Sequence, residues 1–98
     1  MNEKLHQTIT LNVNPYLSER EWAKVWEVYC SMDGWIDAAE RPSWYGTDDA
    51  DRYITVSAEP SGLLFDAHIE PKLWTGWLTL ICARLTLALG VAVHDAEI

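Results

Sequence analysis

A chain of 98 residues sits below the usual domain size and can hold one core, so residues 1–98 are read as a single domain and two-domain arrangements are excluded. Hydrophobic residues at 49% against 22% charged exclude a disordered chain. Fifteen acids against seven bases, a net charge of −8, exclude nucleic acid and an anionic membrane surface as partners, because both would repel it.

The first residues, Met1 to Gln7, lack the basic and apolar stretches of a secretory signal, which predicts a cytoplasmic protein. Leu5, Ile9, Leu11 and Val13 alternate with His6, Thr8, Thr10 and Asn12, the period of a strand with one buried face. Asn14-Pro15 ends it. Ser18-Glu19-Arg20-Glu21 is a capping box that opens a helix, with Leu17 and Trp22 placed to staple it. Trp22, Val25, Trp26, Tyr29 and Met32 then form one helical stripe, and Gly34 offers a cap.

Residues 35–52 show no clean period, contain Pro42 and Gly46, and are read as a long irregular segment. Tyr53 to Ala58 and Leu63 to Ile69 alternate on either side of Glu59-Pro60-Ser61-Gly62, which predicts a β-hairpin. Pro71 opens a second helix through Leu73, Trp74, Trp77, Ile81 and Leu85 to a cap at Gly90. Arg84 is the only charge between Leu73 and Val93, which argues against a membrane span, and it must snorkel or pair. Val91 and Val93 suggest a closing strand. Cys30 and Cys82 lack metal or redox spacing and are read as buried free thiols.

The order β-α-β-β-α-β is that of a ferredoxin-like α+β fold: a four-stranded antiparallel sheet, order 4-1-3-2, with two helices on one face. Its open face then carries His6, Thr8, Thr10, Tyr53, Thr55, Asp66, His68 and His94. His6, His68 and His94 are the candidate metal ligands, since three imidazoles with an open position suit zinc. No nucleophile elbow, phosphate-binding glycine loop or calcium loop is present, so no catalytic residue and no cofactor is expected.

The most distinctive stretch is 33–51. Asp33, Asp37, Glu40, Asp48, Asp49 and Asp51 against Arg41 alone give −5 of the chain's −8, and Trp35, Trp44 and Tyr45 are interleaved with them. Six tryptophans in the chain add weight, since aromatic anchors dominate binding energy. Carboxylates around Trp44 and Tyr45 would suit a basic, phosphate-binding cleft: charge speeds the encounter and the rings supply burial. The predicted partner surface is therefore Asp37, Glu40, Trp44, Tyr45, Asp48, Asp49 and Asp51, with Asp66 and His68 as a second patch.

In size, acidity and tryptophan content the chain resembles the bacterial immunity proteins that are paired with secreted or contact-delivered toxins. That resemblance implies a non-enzymatic, noncovalent inhibitor of a basic protein toxin, most often a nuclease. The alternative is a small dimeric ferredoxin-like enzyme or ligand-binding domain that uses the open sheet face. Self-association into a homodimer is open to a chain of this size.

Overall fold

The computed structural model describes residues 3–47 and 49–97. Six elements follow in chain order: β1 (Leu5–Leu11), α1 (Glu19–Ser31), β2 (Ser43–Trp44), β3 (Tyr53–Glu59), β4 (Gly62–Ile69) and α2 (Pro71–Leu89). The four strands form one antiparallel sheet in the order β1-β4-β3-β2. The α+β class, the four antiparallel strands and the two helices agree with the sequence; the 4-1-3-2 order does not.

Two local events account for the difference. The expected closing strand at Val91–Val93 is reduced to a single bridge between Leu11 and Asp95. There Asn12 N–H donates to the His94 carbonyl (3.0 Å) and Ala96 N–H to that of Thr10 (2.8 Å), which leaves β1 at the edge of the named sheet. Only Val93 reaches the core, while Val91 is exposed, so the apolar alternation is too short to continue a ladder. At the other edge, the segment expected to be irregular contains β2, whose Ser43 and Trp44 pair with Thr55 and Ile54.

Local signals set the remaining boundaries. The Ser18 hydroxyl accepts from Glu21 N–H while the Glu21 carboxylate accepts from Ser18 N–H, at 3.1 and 3.0 Å, which closes the first turn of α1. Pro71 occupies the start of α2, and Gly90, at φ 73°, ends it in the left-handed conformation. Pro60 and Ser61 form the tip between β3 and β4, whose register pairs Glu59 with Gly62 and Tyr53 with His68.

The core lies between the sheet and the two helices. Phe65, Leu63, Ala67 and Ile69 of β4 alternate into it, and Val25, Val28, Tyr29 and Met32 of α1 and Trp74, Trp77, Ile81 and Leu85 of α2 meet them. Tyr29 and Trp77 both touch the same Trp44 ring, which puts both helices on one face. The buried stripe of α1 is therefore narrower than expected. Trp26 lies about 100° round the helix from Val25 and is 50% exposed, and Trp22 is half-buried rather than buried. Cys30, still farther round, is exposed and Cys82 is half-buried; both are free thiols.

Among the described residues Arg84 pairs with no carboxylate. Its Nη1 donates to the Ser31 carbonyl (2.9 Å) and the Ser31 hydroxyl (3.0 Å). The last turn of α1 has no basic residue of its own, so α2 supplies the cation that offsets the carbonyl end of its neighbour. Among the described residues no helix is long and apolar enough to cross a membrane.

Burial ranks the tryptophans. Trp44→Ala is expected to cost about 3–5 kcal/mol, whereas Trp26→Ala should cost only about 1–2 kcal/mol. Urea unfolding of the two variants checks the ordering, and comparable losses would contradict it.

Candidate partner-binding surface

Trp44 is the residue that the structure moves furthest from its expected role. It is 0% exposed, its indole Nε1–H donates to the Tyr29 carbonyl at 3.0 Å, and its ring meets those of Tyr29, Trp35, Phe65 and Trp77 at centroid distances of 4.9–6.2 Å. It cannot serve as a partner-facing anchor. Flanking Pro42, Gly46 and acids suggest exposure, but two β-bridge residues are enough to carry the ring inward.

That anchor gives the acidic segment a defined shape. Trp35 bridges Trp44 and Ile36 N–H donates to the Ser43 carbonyl (3.0 Å), so the chain doubles back around a tip at 37–42. Asp37, Glu40 and Arg41 are exposed on that tip. Glu40 and Asp49 line one polar cavity of about 270 Å³ together with Arg41, Ser43 and Thr47. Asp48 lies outside the described residues.

Tyr45 is half-buried and committed within the chain. Its phenol donates to Asp33 Oδ2 at 2.7 Å, and the Arg52 guanidinium lies 4.8 Å above its ring. Burial, then the Asp33 carboxylate, push the phenol well above its usual range. A Cβ on Gly34, which has φ 87°, would stand 2.7 Å from the Tyr45 ring. The glycine is therefore required where that ring closes over the end of α1. Asp33 is held from a third side, because Trp77 Nε1–H donates to its carbonyl at 3.1 Å.

Asp66 and His68 share one sheet face, in line with their predicted positions, and Asp51, expected in the separate acidic segment, comes beside them. Asp51 pairs with Lys4 at 3.0 Å, and its carbonyl accepts from His68 Nδ1. A carbonyl cannot donate, so Nδ1 of His68 carries a proton. His6 lies directly opposite His68 across the β1–β4 pair, and its Nε2 is 2.6 Å from Asp66 Oδ1. His94 is elsewhere: it is held by Asn12, whose Oδ1 accepts from His94 N–H at 2.7 Å. Asn12 is six residues from His6 along the chain, about 20 Å at strand rise. The reason is the direction of the tail, which meets the end of β1 and not its start. The three histidines thus form no common site, and among the described residues no group of three or more His, Cys, Asp or Glu side chains could hold a metal ion.

The sequence reading passed over an aromatic pair that the structure does expose. Trp26 of α1 stands edge-on to Trp35 with centroids 5.9 Å apart, so a half-exposed indole adjoins the acidic segment in place of Trp44. Its angular offset from the Val25, Val28 and Met32 stripe is the signal that could have found it. Comparisons with protein families, with characterised proteins and with solved structures return no match to this chain.

Two carboxylates of the chain are held below their ordinary value of 4.5. For Glu21 the cause is the Ser18 N–H and then the Ser18 hydroxyl; for Glu70 it is its own backbone N–H and then Arg52, whose Nε lies 2.9 Å away. A lowered folded value means stability that is complete at neutral pH and is lost as pH falls below 4.5 through those lowered values. A Glu21→Gln, Glu70→Gln double variant is expected to be less stable at neutral pH and to lose less between about pH 5 and about pH 3. Chemical unfolding across that range checks it; equal acid slopes would contradict it.

Proposed function

We propose that this chain is an immunity-type protein that acts in the cytoplasm, binding and neutralising a basic protein toxin, with a nuclease as the favoured class. One observation carries this reading. Asp33, Asp37, Glu40, Asp49 and Asp51 are exposed on a segment whose fold is fixed by the buried Trp44, so the charges are held in place before any partner arrives. Such preorganisation lowers the ordering cost of binding, and clustered charge raises the rate of encounter. The Trp26–Trp35 pair replaces Trp44 as the aromatic component, and Tyr45 contributes as the support that positions Asp33. We read the frame as a variant of the ferredoxin-like arrangement, in which residues 94–96 take the place of the closing strand and β2 extends the far edge.

The alternative of an enzyme or ligand-binding domain draws on the His6–Asp66 pair. His6 Nε2 lies 2.6 Å from Asp66 Oδ1, which orients the imidazole on an exposed face. The cavity of about 170 Å³ on that face is lined by Thr8, Thr10, Leu64 and Asp95 and not by His6 or Asp66, and general base catalysis needs a bound substrate within reach.

The proposal expects a toxin domain encoded beside this gene, and the test is rescue of growth when the two are co-expressed. Replacing Asp37, Glu40, Asp49 and Asp51 with their amides is expected to slow association about tenfold or more at low salt, with little effect on the parent's dissociation. Trp26→Ala should instead act on dissociation, by about 1–3 kcal/mol. Absence of both rescue and binding, or a quadruple variant that associates like the parent, would refute the proposal.

A further inference from the structure

The outer side of α2 has a different character from the rest of the surface. Its 19 residues contain Lys72 and Arg84 and no acid, +2 within a chain of −8, so everything outside the helix sums to −10. Arg84 is already turned to the end of α1. What faces outward is Gly76, Thr79, Leu80, Ala83 and Leu87, all exposed. Leu87 is 85% exposed, the most of any leucine on the helix, and Leu80 is 42% exposed.

Gly76 has no explanation within one chain. A Cβ placed on it would meet nothing within 4 Å, and in a helix interior glycine is the poorest choice after proline. Beside it opens a cavity of about 230 Å³ with Met32, Leu73, Trp77 and Leu80 as its apolar lining and Asp33, Tyr45 and Lys72 at its rim. Leu87 stands eleven residues from Gly76, three helical turns and therefore on the same stripe, about 16 Å away. The helix presents a projecting leucine and an apolar hollow at matched positions.

We infer that the outer face of α2 is the contact between two copies of this chain, packed antiparallel about a two-fold axis near residues 81–82. In that arrangement Leu87 of each copy enters the hollow over Gly76 of the other, the reciprocal contact that a two-fold interface requires. Lys72 of each copy comes opposite residues 90–91 of the other, at the carbonyl end of a helix whose own last turn has no basic residue. Charge does not oppose the same occupant: the acids on this layer, Asp33 in the hollow and Glu27 beside Leu87, share it with Lys24, Lys72 and Arg84, so it is not net negative, whereas the chain as a whole is at −8. The layer formed by α2 and the flank of α1 is about 28 Å long and about 20 Å wide. It offers about 500 Å² per copy, which reaches the 1,000 Å² or so that a specific interface needs. The tip at 37–42 and Trp26 remain outside the contact, while Asp33 and Tyr45 line one rim of the hollow, so the two surfaces adjoin there and self-association is tested with no toxin present.

Sedimentation equilibrium of the full chain tests it with no toxin present. The parent is expected to approach about 22 kDa, twice 11.2 kDa, with little dependence on salt. Leu87→Glu, at an exposed position, and Gly76→Leu, which fills the hollow, should each weaken association at least tenfold. Their circular dichroism should match the parent's, because neither site is packed within one chain. Leu5→Glu, on the exposed edge strand, should leave the mass unchanged. A parent that stays at 11.2 kDa up to about 1 mM would overturn the inference and leave the face to a different partner. Dissociation by Leu5→Glu and not by Leu87→Glu would also overturn it, and would assign self-association to the β1 edge.

Discussion

The burial of Trp44 is the constraint on which the rest of the molecule depends. One side chain touches α1 through Tyr29, α2 through Trp77 and β4 through Phe65, and so ties together three elements that are distant in sequence. An indole brings both a large apolar area and one donor that must be satisfied when buried. The donor finds the Tyr29 carbonyl near the end of α1, where carbonyls lack intrahelical partners. The same carbonyl also accepts from Met32 N–H at 3.2 Å, so one acceptor closes the helix and satisfies the tryptophan. A short strand, which would be marginal by ladder bonds alone, is held because its second residue is a core residue.

The polar ends of the helices are settled by neighbours as well. Arg84 reaches from the middle of α2 to the last turn of α1, and Trp77 from the same helix holds the Asp33 carbonyl two residues beyond. Asp33 in turn accepts from Tyr45, which follows Trp44 directly. Helix α2 thus controls where α1 ends and where the acidic segment begins. The arrangement gives a physical basis for exposing several carboxylates on a connection that would otherwise be mobile: it is pinned at Asp33, at Trp44 and, through Lys4 and His68, at Asp51.

The features legible in the sequence are those decided by contacts between near neighbours. The Ser18–Glu21 box, the Pro71 start, the Gly90 stop and the turn around Pro60-Ser61 each involve residues within four positions of one another, and each forms as expected. The period-two pattern of β4 also sorted Asp66 and His68 from Phe65 and Ala67 correctly. Trp44 was not legible, because a two-residue strand shows no period and its ring partners lie 15, 21 and 33 residues away in Tyr29, Phe65 and Trp77. The end of the chain failed for a related reason. Val91 and Val93 resemble a strand, but the tail is directed by the Asn12 side chain and by the Thr86 hydroxyl, which accepts from Val93 N–H. Side-chain acceptors of that kind leave no mark in a hydrophobic pattern.

The distribution of charge follows from the same packing. With −10 outside α2 and +2 within it, the acids are carried mainly by connections, turns and the outer side of α1, while the helix closest to the aromatic core is nearly free of them. Carboxylates at the inward positions of α2, those of Trp74, Trp77, Ile81 and Leu85, would have faced the core, where an unpaired charge is costly. The core thus excludes negative charge from the inward side of α2, while the outer side carries Lys72 and no acid. One packing decision therefore produces two unlike surfaces. An acidic, preordered one suits a partner of opposite charge, and a neutral one with a leucine and a hollow suits a partner of the same charge, which a second copy necessarily is.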